Sequence, residues 1–346
     1  MKIVSTTICK NNESAVAGAS LSCRAVVDEC LILDNGSTDD TIRVALDAAG
    51  DKGRVVSFEW QDFGHARNFA LEQATIAQAD WALTLDSDER LDWNGDDIRA
   101  ILASSGECRV WHANHQSKTY AKTRFVRLPR VDLPMWEGRT HEALFDMQCA
   151  LLPKTTFWEL DKNPEQLSSK FIRDLELLTL DIESHPNNGR WPYYLGETLV
   201  NMERYLEAID RYQRCSEISA WQEEAGRALY RQAECYCVLD RFEDAVQSCA
   251  NSLAKFPTGD AAWLAGFACS KLGRGWEAYA WAKMSEAIGY FKGVGACLPR
   301  GGFKTVTALY EGPFDLARFH APTLEEQQAA DEMYKTAIEA RLGISK

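Results

Sequence analysis

The sequence predicts an α/β domain with a mostly parallel sheet, followed by an all-α repeat domain. Three observations carry that expectation. Apolar runs of strand length alternate with helical periodicity between Ile3 and Asp86. From about Gln166 onward the periodicity is helical throughout. Within that second part, small residues recur at a regular spacing.

Length and composition fit two domains. The chain has 346 residues, too many for one ordinary domain. It is 46% hydrophobic and 26% charged, as globular proteins are. No stretch approaches the roughly 20 apolar residues a membrane span needs. The opening MKIVSTTICKNNE reaches Asn and Glu too early for a secretory signal. Eleven cysteines are an odd number, scattered, with no C-x-x-C. The nearest pair, Cys235 and Cys237, falls in a helical segment. Reduced core thiols, a cytoplasmic location and no zinc site are therefore expected. A formal net charge of −13 disfavours a general nucleic-acid-binding protein, whose phosphate contacts need basic surface. It leaves room for a local basic groove over Lys118, Lys122, Arg124, Arg127 and Arg130. On a strand Lys122, Arg124 and Arg130 share one face, and a solvated face is the plainer reading.

The elements follow in order. IVSTTIC (3–9) is a β-rich run, and ECLILD (29–34) is a short apolar run typical of a buried parallel strand. STDDTIRVALDAAG opens a helix with Ser37 as N-cap and Asp39 and Asp40 at the positive end of its dipole; Gly50 stops it. RVVSFEW (54–60) is a third strand, GHARNFALEQATIAQA (64–79) a helix and DWALTLD (80–86) a fourth strand. Strands and helices alternating at this spacing imply a parallel sheet with right-handed crossovers. Ligands on such sheets bind beyond the carboxyl ends of the strands. Asp34-Asn35-Gly36 and Asp86-Ser87-Asp88 both fall there. After residue 90, CRVWHANH (108–115), RFVRLPR (124–130) and ALLPKTTFWEL (150–160) read as added, antiparallel strands. PMWEGRTHEAL (134–144) lies among them, rich in groups that can do chemistry.

In the second half, Gly196, Ala233 and Gly266 are each followed twelve positions later by Ala208, Ala245 and Ala278. Those alanines stand 37 and 33 apart, bracketing the period of tetratricopeptide units, about 34 residues. Pro257 falls where the second unit ends. Such units stack into a solenoid, usually with a concave binding face. A last helix, 323–343, opens with a Thr323–Glu326 capping box. The expected boundaries are 1–162, 163–300 and 301–346.

The apolar run of residues 81–85 ends in Asp86-Ser87-Asp88-Glu89. An acidic turn at a parallel strand end suits a hard divalent cation such as Mg²⁺ or Mn²⁺, with substrate phosphates completing its shell. A solvated turn is the bland alternative.

LILDNGSTDDT, FGHARNFAL and DWALTLDSDERL stand in an order and spacing that resembles the family 2 glycosyltransferases of the GT-A fold, a Rossmann-like architecture. The resemblance covers residues 1 to about 160. With helical repeats behind it, the chain looks like the subgroup that includes the bacterial peptide S-glycosyltransferases of the sublancin type. The resemblance implies an inverting, metal-dependent transferase using a nucleotide-sugar, most often a UDP-sugar. It puts Thr6 and Thr7 after the first strand, by the base, and Glu13 and Asp34 at base and ribose. Asp39 supports that loop or caps its helix. Arg67 and Asn68 face the nucleotide and the acidic turn, unless Arg67 is a structural partner of one of the acids. Asp86 contacts ribose or donor sugar, Asp88 ligates the metal, and Glu89 steadies the loop or touches the acceptor. The downstream acidic pair that supplies the family's usual base has no convincing copy here. GRTHEAL (138–144) resembles the His-Glu motif of shorter members, with Glu142 as base and His141 as metal or phosphate ligand. Trp111 and Trp136 stack on sugars or belong to the core.

The repeats are expected to dock an acceptor, pair subunits into a homo-oligomer, or both. The acceptor stays open among a peptide or protein side chain, a glycan and a modified nucleobase. The rival reading is a tetratricopeptide scaffold behind a lapsed transferase domain. Retention of Asp34, Arg67, Asp86 and Asp88 speaks against it.

Overall fold

A computed structural model describes residues 1–117, 120–129, 133–145, 147–288 and 312–342. The chain divides into two compact units, Met1–Leu167 and Ser168–Lys346.

The first unit is built on one eight-stranded sheet. Its strands are β1 (Ile3–Cys9), β2 (Glu29–Asp34), β3 (Gly53–Ser57), β4 (Trp81–Thr84), β5 (Glu89–Asp92), β6 (Val110–His115), β7 (Ala121–Arg127) and β8 (Cys149–Glu159). They run in the order β3-β2-β1-β4-β7-β6-β8-β5. β3, β2, β1 and β4 are mutually parallel. β7 is antiparallel to β4 and to β6, β8 is parallel to β6, and β5 is antiparallel to β8. The added strands are thus not all antiparallel as expected. The long excursion from β7 back to β8 lets β8 run alongside β6 in the same direction.

Helices cover both faces. α1 (Val16–Cys23) and α2 (Thr41–Ala49) lie on one, where Ile3, Cys9, Val16, Ala19, Ile32, Ala45, Leu83 and Phe125 form a core. α3 (Phe63–Ile76) lies on the other, with Val4, Leu31, Leu71, Ala74, Ala82 and Val126. β1 and β2 are buried almost throughout, which is why they read as continuous apolar runs rather than alternating ones. The chain winds from β1 through β2 to β3, then crosses to β4 on the other side of β1. β1 and β4 therefore flank the switch point at which α/β sheets open a crevice.

Two elements escaped the sequence reading. α4 (Ile98–Ala103) is short, N-capped by the Asp97 carboxylate on Ala100 N. β5 is masked by composition: Glu89 and Leu91 face inward, but a buried Glu hides the alternation of an apolar strand. β8 is also less regular than it reads. Its register on β6 shifts between His112 and Asn114, around Pro153, which cannot donate to a ladder. The α2 cap is a correction too. The helix begins at Thr41, not beside Ser37, because Asp39 Oδ1 accepts from Thr41 N at 3.0 Å and fastens the turn just ahead of it.

The second unit is helical. α5 (Pro164–Ser184) starts just before it, behind a reciprocal cap: Asn163 N donates to Gln166 Oε1 at 3.0 Å and Gln166 N to Asn163 Oδ1 at 2.8 Å. Then come α6 (Arg190–Asn201), α7 (Tyr205–Ile218), α8 (Gln222–Val238), α9 (Phe242–Lys255), α10 (Gly259–Lys271) and α11 (Gly275–Ile288). Each packs on the next, and α6 on α8 and α8 on α10 also touch, the stacking of helical pairs. Ala208, Ala233, Ala245 and Ala278 are fully buried. A Cβ on Gly196 would stand 2.6 Å from the Tyr212 ring, so only glycine lets α6 and α7 approach this closely. Helices Gly312–His320 and Leu324–Leu342 follow. Glu326 N donates to Thr323 Oγ1 at 3.2 Å, while the Glu326 carboxylate accepts from the Thr323 hydroxyl. The ten cysteines among the described residues are free thiols. No helix among those residues is long and apolar enough to cross a membrane.

Candidate active site

The site is assembled at the carboxyl ends of β1, β2 and β4. β4 stops at Thr84, and the next residues make a turn that closes on itself. Asp86 N donates to Glu89 Oε2 at 2.9 Å, and Glu89 N to Asp86 O at 3.0 Å. Across the switch point, Asn12 Nδ2 donates to Ser87 Oγ at 2.8 Å. Arg90 joins the same two loops, donating to Ser87 O at 3.2 Å and Ala15 O at 2.6 Å. The loops after β1 and β4 are thus one hydrogen-bonded body.

Each acid of the turn faces at least one cation. Arg67, on the first turns of α3, bonds Asp86 Oδ1 through Nη2 at 2.6 Å and Glu142 Oε1 through Nε at 3.0 Å. Burial opposes the Arg67 charge, but the two carboxylates outweigh it and its pKa is raised. Asp88 Oδ2 meets Lys162 Nζ at 2.5 Å. Leu160 N donates to Asp88 O at 2.9 Å, holding the end of β8 beside the turn. Glu89 is 1% exposed and accepts from Arg124 Nη1 at 2.6 Å and Lys122 Nζ at 2.7 Å. Burial alone would raise its pKa; Arg124 and Lys122 overcome that and hold it well below the usual carboxylate range.

Glu142 arrives on a tight turn. Glu137 and Ala143 exchange backbone hydrogen bonds at 2.9 and 3.0 Å, and the loop between them needs positive φ at Gly138 (98°) and His141 (52°). Phe63 N donates to Arg139 O at 2.9 Å, stitching the turn to the start of α3. A Cβ on Gly64 would lie 2.3 Å from Gly138 O, so glycine there is what allows the approach. Arg67 stands one helical turn further on.

The expected site residues are therefore not all alike. Arg67, Asp86 and Glu142 are brought into one cluster. Asp88 is beside it on the same turn. Glu89 is enclosed in its ion cluster, so it steadies the turn and cannot reach an acceptor in this arrangement. Thr6 and Thr7 lie within β1, not beyond it, and both are buried; Thr6 Oγ1 donates to Leu83 O at 3.3 Å. Asp34 accepts from Gly36 N and Ser37 N at 3.0 and 3.1 Å, so its carboxylate folds its own turn. Glu13 Oε2 accepts from Asp40 N at 3.1 Å at the head of α2. Asn68 spends both ends of its amide on the Trp136 backbone, at 3.0 and 2.7 Å. Trp136 is a core residue beneath the Arg67 guanidinium, 5.9 Å from its ring centre. Trp111 packs on the other core and donates to Ser105 Oγ at 3.0 Å.

Neither the candidate basic groove nor the plainer solvated face describes Lys122 and Arg124. Lys122 and Arg124 share a face of β7, but they turn inward to Glu89; Arg127 donates to Gly106 O at 2.6 Å, and Lys118 and Arg130 lie outside the described residues. Asn12, Arg90, Lys122, Arg124 and Lys162 were missed as site residues. Arg90 lies inside the acidic-turn motif but its contacts could not be read from it; the other four belong to no motif, and a partner brought together by the fold leaves no mark in sequence spacing.

No set of three His, Cys, Asp or Glu side chains among the described residues forms a metal cage, around Asp88 and His141 or elsewhere. A divalent cation at this turn would have to be held as Mg²⁺ commonly is, by one or two carboxylates, with the remaining ligands from substrate phosphates and water.

Residues 6–101 match the model of the family described as Glycosyl transferase family 2. An uncharacterised glycosyltransferase of Rickettsia prowazekii is 32% identical over 39% of this chain and 44% of its own length. The prophage-derived glycosyltransferase SunS of Bacillus subtilis is 25% identical over 53% of this chain and 46% of its own. A TPR repeat-containing protein of Synechococcus elongatus is 26% identical over 66% and 62%. Among solved structures, MamA aligns with 53% of this chain at 15% identity and a TM-score of 0.39. The chain spans less than half the length of the Rickettsia relatives it matches. The N-terminal unit thus contains a stretch, residues 6–101, similar to family 2 glycosyl transferases, which holds Arg67 and the acidic turn, and stacked helical pairs follow that unit in the chain.

Proposed function

We propose that the first unit transfers a sugar from a nucleoside-diphosphate donor, a UDP-sugar, to a nucleophilic acceptor with inversion. The observation that carries this reading is the Asp86–Arg67–Glu142 cluster at the switch point, of which Arg67 and Asp86 fall inside the stretch that matches the family model while Glu142 joins them from beyond it. In a single displacement the acceptor atom bonds the anomeric carbon as the bond to the diphosphate breaks. The acceptor's proton goes to a carboxylate, and Glu142 is the one we assign. Arg67 holds its Oε1 and orients it, which leaves Oε2 to take the proton. Asp86 orients the donor sugar or ribose from the other end of Arg67. Asp88 is the carboxylate that would hold Mg²⁺ or Mn²⁺, which when bound neutralises the departing diphosphate. Thr6, Asp34, Glu13 and Asn68 hold main chain beside the site, and Thr7 is buried next to them in β1. His141 is assigned to the phosphates.

The repeat unit is assigned to docking the acceptor, a peptide or protein, since stacked helical pairs offer an extended surface to a chain. The reading is tested by incubating UDP-, GDP- and CDP-sugars with the protein and following nucleoside-diphosphate release. Release from UDP-sugars by the wild type, lost in Asp88→Asn at unchanged melting temperature, is expected. No release from any donor would overturn it. Glu142→Gln should cut turnover by roughly 10²–10⁴-fold, the usual worth of a positioned base, with donor binding kept. Unchanged turnover would move the base elsewhere.

A further inference from the structure

We infer that Lys162 is a built-in cation of the acidic turn, competing for the Asp88 carboxylate that a divalent metal needs and yielding it more readily when a diphosphate arrives. The inference rests on the donor-site reading above and adds a residue that no motif contains.

The geometry is specific. Lys162 Nζ sits 2.5 Å from Asp88 Oδ2. Its reach is set by the chain on both sides. Two residues before it, Leu160 N is bonded to the Asp88 carbonyl. One residue after it, Asn163 caps α5 reciprocally with Gln166. The ammonium is thus tethered beside the turn by backbone, not left to find it. Its side chain is 36% exposed, so solvent and ligand can reach it. The other cations are more deeply engaged: Arg67 by Asp86 and Glu142, and Arg124 by Glu89.

Charge then decides the order of binding. With Arg67 on Asp86 and Lys162 on Asp88, each of these two carboxylates already faces a cation. A divalent cation arriving alone must displace an ammonium from its best oxygen. A diphosphate changes that balance, because it brings anionic oxygens that Lys162 can follow, freeing Asp88. Metal and nucleotide should therefore help each other bind, by the same factor in either order.

The test is calorimetric titration of MnCl₂ alone, and then of UDP with Mn²⁺ or EDTA, into the full chain. The variants are Lys162→Met, Lys162→Arg and Asp88→Asn. Lys162→Met is expected to bind Mn²⁺ without nucleotide about tenfold more tightly than wild type, the size of losing one close competing charge. It should bind UDP more weakly in EDTA. Lys162→Arg should keep the wild-type Mn²⁺ affinity, and Asp88→Asn should bind Mn²⁺ in neither setting. Equal Mn²⁺ affinity in wild type and Lys162→Met, or no Mn²⁺ binding to either, would overturn the inference. Failure of UDP to bind the wild type would instead strike the donor-site reading, since the comparison with Mn²⁺ alone needs no nucleotide. Should Lys162→Met melt early, Lys162→Gln gives the same comparison with a side chain that keeps a hydrogen bond.

Discussion

The two halves of the sheet do opposite work. The parallel half, β3-β2-β1-β4, supplies Asp34, Asp86 and Asp88 at or just past its carboxyl ends, and the turn after β4 runs on into Glu89, the first residue of β5. The other half supplies cations to meet them: Lys122 and Arg124 from β7, and Lys162 from just beyond β8. Both halves are needed to bury the turn, because a carboxylate leaves water only where a cation and hydrogen bonds replace its hydration. The site is therefore a seam between two kinds of sheet, and a motif confined to one side of it describes half the chemistry.

The seam can be broken from the cationic side. Arg124→Met leaves Glu89 buried with only Lys122 and Asp86 N. Removing one partner of a buried pair costs roughly 3–5 kcal/mol, so urea unfolding should show a loss of that order. Arg124→Met combined with Glu89→Gln should recover part of it, because no unpaired charge then remains. A double variant as unstable as the single one would mean that Arg124 acts through packing on Phe157, 4.1 Å below its guanidinium, and not through Glu89. Gly64→Ala tests the other stitch. Its methyl group would push on Gly138 O and move the turn that carries Glu142, at about 1–3 kcal/mol for overpacking, with turnover falling further than stability.

A smaller effect separates charge from packing by pH. Glu89 has its pKa lowered in the folded state, so it contributes stability above its unfolded pKa, near 4.5. That contribution is lost as pH falls from there through the folded pKa. Wild type should therefore destabilise below about pH 4.5 more steeply than Glu89→Gln, read as the shift of the urea midpoint. Parallel pH profiles would mean that Glu89 is not charged where it sits. The smallest effect is expected far from the seam. Arg43 pairs with Asp40 and Asp47 on the exposed side of α2, where water screens the charges, and Arg43→Ala should leave the unfolding midpoint unchanged.

How much of this is legible in the sequence follows from the same comparison. β1, β2, β4 and α3 are, because both-sided burial writes apolar runs and helical spacing into the chain. The tetratricopeptide pairs are, because close helix approach demands Gly196 and a buried Ala208, and the demand repeats. The acidic turn is visible as a motif, and Arg67 as its neighbour in the matching stretch. β5 is not, because its inward residue is Glu89. Neither are Lys122, Arg124 and Lys162, whose meaning comes from partners 33 to 74 positions away across the sheet. Thr6, Thr7 and Asp34 were expected to face a ligand directly. Thr6 and Thr7 are instead buried within β1, and Asp34 spends its carboxylate on the backbone of its own turn, placements that spacing alone does not encode.

The most direct test of the central claim, that this seam is a nucleoside-diphosphate site, is calorimetric titration of UDP with Mn²⁺ present, with GDP and CDP as controls, into wild type and Asp88→Asn. Binding by the wild type that prefers UDP and is lost in Asp88→Asn is predicted. No nucleotide binding to the wild type would contradict it, and the acidic turn would then be only the end of a strand.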